Sequence, residues 1–161
     1  MARLVEDLAT ALLARGWMLA TAESCTGGLI AGACTDLAGS SNWLERGFVS
    51  YSNAAKTELL GVDAALIARH GAVSEPVARA MAQGALQHSY AQCALAVTGI
   101  AGPGGGSADK PVGMVWFAWA TPQGVRSEMQ CLDGDRAQVR SATVQHSLAV
   151  LLSMVQAAPA G

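Results

Sequence analysis

An apolar run of strand length, Trp17-Met18-Leu19-Ala20, gives way through Thr21-Ala22-Glu23-Ser24-Cys25-Thr26 to the glycine pair Gly27-Gly28, and Leu29 to Thr35 then reads as a short helix. A strand handing over to a helix across glycines opens a βα unit, and the rest of the chain keeps up the alternation. Ahead of it, Leu4, Leu8, Leu12 and Leu13 recur at helical spacing and Gly16 supplies the stop. After it, Gly39-Ser40-Ser41 closes the short helix, and Gly47-Phe48-Val49-Ser50-Tyr51 has the aromatic and β-branched content of a strand. Ser52-Asn53 can cap a helix from Ala54 to Leu60 that Gly61 ends; Asp63 can cap another to His70; Ser74-Glu75-Pro76 opens a longer one through His88. Cys93 to Val97 is a continuous apolar strand, while Val112 to Thr121 and Val125 to Leu132, joined through Pro122-Gln123-Gly124, form an antiparallel hairpin. Asp135 caps a last helix reaching about Val155, and Ala157 to Gly161 is expected to fray. This order predicts an α/β fold in a single domain over 1–161: a layered α/β/α sandwich with a mixed, largely parallel sheet and an antiparallel hairpin.

Composition narrows the function classes. With 52% apolar and 14% charged residues the chain is ordered yet poor in surface charge, so part of its surface is expected to be buried between subunits of a homo-oligomer, a dimer or higher. The basic residues form no run and the pI is near 5.8, which argues against a nucleic-acid partner. Arg3, Glu6, Asp7 and Arg15 interrupt the amino-terminal apolar residues, so neither a signal peptide nor a membrane anchor is expected. Cys25, Cys34, Cys93 and Cys131 lie far apart and read as reduced thiols of the cytoplasm. His70, His88 and His146 are as dispersed, so no metal site and no cofactor is expected.

Two glycine-rich loops follow strands, where ligand sites of open sheets lie. In the first, Ser24 stands among the N–H groups that open the next helix, donors able to meet a carboxylate, a phosphate or a developing oxyanion. The bland alternative is that Ser24 or Thr26 caps that helix. The second loop, Thr98-Gly99-Ile100-Ala101-Gly102-Pro103-Gly104-Gly105-Gly106, lacks the Gly-Lys-Ser/Thr ending of a phosphate-binding loop and leads into a strand; it is either a ligand cradle or flexible packing.

The ordered blocks Ala22-Glu23-Ser24-Cys25-Thr26-Gly27-Gly28, Gly39-Ser40-Ser41, Arg46 to Asn53 followed by Lys56, Gly71-Ala72-Val73-Ser74-Glu75-Pro76-Val77, Thr98 to Pro103, Lys110-Pro111-Val112-Gly113 and Gly134-Asp135-Arg136 resemble the CinA C-terminal domain family over nearly the whole chain. The stand-alone members of that family are nicotinamide-nucleotide amidohydrolases. The resemblance therefore implies hydrolysis of the carboxamide of nicotinamide mononucleotide to nicotinate mononucleotide and ammonia, without a metal, in the cytoplasmic recycling of pyridine nucleotides. Longer CinA proteins carry an additional N-terminal pyrophosphatase domain, and that activity is expected to be absent from 161 residues.

Amide hydrolysis needs a nucleophile, a base and donors for the oxyanion. Ser24 is the expected nucleophile. Lys56, one of two lysines, is the expected base once burial or a neighbouring cation lowers its pKa; the alternative is a solvated helix lysine. Tyr51 would relay or orient the proton, and Thr98 would bond the substrate or support the pair. Thr26, Gly27, Gly28 and Asn53 complete the expected substrate surface, with Gly99, Gly102, Arg136 and Arg140 facing the phosphate. Arg136 opens a helix, where a cation is unfavourable unless something anionic offsets it. Two other readings stay open: Cys25 as nucleophile, and a silent nucleotide-binding or assembly module of the same fold.

Overall fold

The computed structural model describes residues 1–160 and carries a five-stranded sheet in the order β2-β1-β3-β4-β5. Along the chain these are α1 (Ala2–Arg15), β1 (Leu19–Glu23), α2 (Leu29–Thr35), β2 (Leu44–Val49), α3 (Asn53–Leu60), α4 (Ala64–His70), α5 (Glu75–Gln87), β3 (Cys93–Gly99), β4 (Met114–Thr121), β5 (Gly124–Cys131) and α6 (Arg136–Ala157). β1 pairs in parallel with β2 and β3; β4 runs against β3, and β5 against β4. Four of the five strands thus share one direction, as a mixed, largely parallel sheet requires.

Strict alternation of residue size divides the sheet into two faces. Leu19, Cys93, Leu95, Val97, Val115, Phe117 and Trp119 meet α1, α2 and α6 in one buried cluster. The residues between them, Ala20, Ala22, Ala94, Ala96, Ala118 and Ala120, form the opposite face and pack on Val77, Ala78, Met81, Ala82 and Ala85 of α5 with Leu60 and Ile67. Bulk on one side and methyl groups on the other let α5 lie close to the sheet. The buried indole of Trp119 donates to Ser147 O at 2.9 Å, so the large face hides no orphaned N–H there.

Several boundaries differ from those read in the sequence. β1 begins and ends later than Trp17–Ala20, because Thr21, Ala22 and Glu23 pair on both sides, with Gly47 to Val49 and with Leu95 to Val97. β2 begins at Leu44 and stops at Val49, leaving Ser50 and Tyr51 beyond the ladder. β3 runs on through Thr98 and Gly99, held by Trp116 and Val115. The hairpin turn is Pro122-Gln123, since Gly124 already pairs with Thr121. Near the end of the chain the Arg15 guanidinium donates to the carbonyls of Ala158 and Pro159. Gly161 lies outside the described residues.

From β1 the chain crosses to β2 by way of α2 on one face, then returns to β3 through α3, α4 and α5 on the other. The carboxyl end of β1 is therefore a switch point, the place where open α/β sheets leave a crevice.

Candidate active site

Ser24 is the first residue after β1, at that crevice, and its N–H donates to Val97 O. β2 ends beside it, and Ser50-Tyr51 lead into α3, which Ser52 caps by accepting from Ala55 N at 3.0 Å. That cap fixes where the first turn of α3 points, and Lys56 lies on it. Lys56 is only 1% exposed, with its Nζ 3.0 Å from Ser24 Oγ, 3.2 Å from Ser50 O and 3.0 Å from Tyr51 O. Burial holds its pKa below the usual lysine value, the nearby Cys25 acting weakly the other way.

The three partners decide what the amine can do. A neutral –NH₂ has two protons and one lone pair; two carbonyls accept the protons, so the lone pair is left for the Ser24 hydroxyl. Ser24 Oγ lies at the limit of hydrogen bonding from Tyr51 O, 3.5 Å, and so has no strong competing acceptor. In its neutral form the amine is placed to accept the Ser24 proton.

Ser24 and Lys56 open into a cavity of about 270 Å³ bordered also by Thr98 and Arg136. Thr98 Oγ1 donates to Ala72 O at 2.9 Å, which pins the α4–α5 connection, with Ala72 and Val73, against the cavity. Arg136 Nη1 donates to Gly102 O at 2.9 Å, joining the start of α6 to the second glycine loop. Gly99 borders the cavity and has no room for a side chain, since a Cβ would come 2.7 Å from Val115 Cγ2. Gly102, at φ 82°, has Val112 where its Cβ would go; its contribution is the carbonyl. Asn53 borders the cavity from the first residue of α3. Tyr51 reaches Lys56 through its backbone carbonyl, while its ring, on a residue 59% exposed, makes no hydrogen bond to the pair.

Gly27, Gly28, Arg140 and the Thr26 side chain do not line the cavity. Neither Ser24 nor Thr26 caps α2: the N-cap is Gly28, at φ 102°, with no side-chain bond of its own. The donors are taken by Glu23, a residue only 1% exposed, whose carboxylate accepts from Ile30 N at 2.8 Å, Ala31 N at 3.0 Å and Thr26 Oγ1 at 2.6 Å. The helix start offered for a ligand anion is filled by the protein's own. Arg140, on the second turn of α6, donates from Nε to Cys25 O at 3.1 Å and from Nη2 to Thr26 O at 3.2 Å, gripping the loop instead of the cavity. Its guanidinium lies in a separate crevice with Leu29 and Val144.

Sequence reasoning missed Glu23, the Ser50 carbonyl and the Ala72-Val73 wall. Only Glu23 carried a signal: a lone carboxylate at the end of an apolar central strand must find donors nearby. Cys25 borders the cavity, but burial pushes its thiol up to about 11, which leaves little thiolate at neutral pH. Among the described residues no three histidines, cysteines or carboxylates come together as a metal site, and no helix is long and apolar enough to cross a membrane.

Residues 1–155 match the family model described as the CinA C-terminal domain. A curated relative from Escherichia coli named nicotinamide-nucleotide amidohydrolase PncC is 52% identical over 150 residues, covering 92% of this chain and 91% of that protein. The protein of the same name from Enterobacter agglomerans is 54% identical over 147 residues, covering 91% and 90%. A CinA-like protein from Mycolicibacterium vanbaalenii is 58% identical over 138 residues, 85% of this chain but 32% of its own length. Among solved structures, the competence/damage inducible protein CihA from Agrobacterium tumefaciens superposes with a TM-score of 0.92 at 49% identity, covering 95% of this chain and 94% of that one. The competence damage-inducible protein A (ComA) from Klebsiella pneumoniae gives 0.94 at 39% identity and 98% coverage of each.

Proposed function

This chain belongs to the CinA C-terminal domain family, and we propose that it hydrolyses the carboxamide of nicotinamide mononucleotide to nicotinate mononucleotide and ammonia. The observation that carries the reading is the 3.0 Å approach of a buried lysine amine to Ser24 Oγ at the mouth of a cavity that also holds Arg136. The names of relatives more than half identical supply the substrate class.

In this reading neutral Lys56 takes the Ser24 proton as Oγ attacks the carboxamide carbon, a general-base step worth about 10²- to 10⁴-fold. The oxyanion forms beside the N–H groups of Cys25 and Thr26, of which the Thr26 N–H has no protein acceptor among the described residues; the Ser24 N–H is already spent on Val97 O. Protonated Lys56 gives its proton to the departing nitrogen, ammonia leaves, and the nicotinoyl ester of the nucleotide remains on Ser24. Water, deprotonated by the same amine, then cleaves that ester and returns the proton to Oγ. Arg136, which borders the cavity, meets the phosphate. The whole chain acts as one catalytic domain, in the cytoplasm and as a homo-oligomer.

The test is ammonia release from nicotinamide mononucleotide by the purified protein. Ser24→Ala and Lys56→Met are expected to lose about 10³-fold or more in kcat, while Cys25→Ala stays within a few-fold. Calorimetric binding of the nucleotide with no ammonia from the unaltered protein would leave a silent binding module. An inactive Cys25→Ala beside an active Ser24→Ala would move the chemistry to the thiol.

A further inference from the structure

Arg140 touches the catalytic loop without lining the cavity, and the geometry of its two bonds gives it a task. Cys25 O and Thr26 O both accept from its guanidinium. Both peptides are trans, so in each the N–H points opposite to the C=O. Holding Cys25 O toward Arg140 therefore aims the Thr26 N–H away from Arg140. Holding Thr26 O does the same for the Gly27 N–H, which donates to Ser24 O at 3.1 Å and closes a turn over the nucleophile. Of the two amides, the Gly27 N–H is used inside the turn and the Thr26 N–H has no protein acceptor among the described residues.

We propose that Arg140 is a positioning residue for the oxyanion hole: by fixing the Cys25–Thr26 peptide it presents the Thr26 N–H to the negative charge that develops next to Ser24. This rests on the acyl-transfer reading above. Charge reinforces the geometry. No carboxylate pairs with Arg140 among the described residues, so its full charge polarises the carbonyl it grips, and a polarised amide is a stronger donor at its N–H. Glu23 holds the same loop from the other end through Thr26 Oγ1, leaving the Cys25–Thr26 peptide little freedom to flip.

The experiment compares Arg140→Gln and Arg140→Lys with the unaltered protein in three readouts: kcat and KM for nicotinamide mononucleotide, labelling of Ser24 by a fluorophosphonate probe, and the pH profile. Labelling passes through a phosphorus oxyanion and so reports the hole even in a protein that releases no ammonia. Arg140→Gln is expected to lower kcat and the labelling rate together by about 10- to 100-fold, with KM within about threefold and the pH midpoint unmoved. Arg140→Lys, which restores the cation but one contact at most, falls between, and added guanidinium restores part of the rate of Arg140→Gln. A KM raised tenfold at unchanged kcat would overturn the inference and put Arg140 on the phosphate. Unchanged kcat and labelling in a variant that only melts earlier would overturn it too, leaving a structural clamp. An unaltered protein that labels at Ser24 in an Arg140-dependent way yet frees no ammonia would retain this inference and refute the proposed substrate.

Discussion

Gly84 couples core packing to the lysine amine. It sits within α5 where that helix crosses the end of α3, and a Cβ there would fall inside the contact distance of Leu60 O and 2.9 Å from the Leu60 carbonyl carbon. Carbon atoms in contact keep about 3.5 Å, so Gly84→Ala must push the end of α3 away by about 0.6 Å or more, and by nearer 1 Å at the oxygen. Lys56 lies one turn earlier on the same short helix, and its 3.0 Å bond to Ser24 Oγ would stretch toward about 4 Å, beyond hydrogen bonding. Alanine gains about 1 kcal/mol over glycine in a helix interior, but overpacking against backbone costs about 1–3 kcal/mol or more. A net loss of up to about 2 kcal/mol follows, with kcat reduced about 10- to 100-fold, since a misplacement near 1 Å can cost two orders of magnitude. Gly32 is the control. It lies in α2 with nothing within 4 Å of its Cβ position, so Gly32→Ala should gain about 0.5–1 kcal/mol and leave turnover unchanged. Urea denaturation and ammonia release on both variants check the pair. If Gly84→Ala unfolds at the same urea concentration as the unaltered protein, or turns over at the same rate, the packing argument is refuted.

Two more expectations concern the titrating and binding groups. kcat/KM should rise with pH as Lys56 loses its proton, with a midpoint below the ordinary lysine value of 10.5. For stability the sign is the same: between the lowered folded pKa and 10.5 the unfolded chain holds the extra proton, so stability rises with pH through that window, and Lys56→Met should flatten the rise in urea titrations at a series of pH values. Arg136→Gln should raise KM for nicotinamide mononucleotide about tenfold or more at nearly constant kcat in steady-state assays; unchanged KM would remove Arg136 from the phosphate.

The local signals that proved legible are those written within a few residues of each other. Leu29 to Thr35, Gly61 and the Asp63 and Asp135 caps behave as their types require, because caps and glycine stops act on the adjacent turn. Leu44 to Arg46 were not legible as strand, since on an edge strand Glu45 and Arg46 can face water while the backbone still pairs. At the site, the approach of Ser24 to Lys56 rested on resemblance, for no spacing rule brings residues from two βα units together. Glu23 and the backbone contacts of Arg140 escaped sequence reasoning for one reason: each acts on backbone. Glu23 reaches amides seven and eight positions ahead in the chain, and Arg140 reaches carbonyls from another helix, which side-chain motifs do not record.

The carboxylate of Glu23 has a further consequence for the end of the catalytic cycle. Hydrolysis turns a neutral amide into an anionic acid, and an open helix start beside the nucleophile would hold on to that acid. With Glu23 already bonded to Ile30 N and Ala31 N, the new anion finds the nearest dipole quenched and a fixed negative charge behind the loop. Product inhibition is therefore expected to be weak, with the reaction's own change of charge favouring discharge of the spent nucleotide.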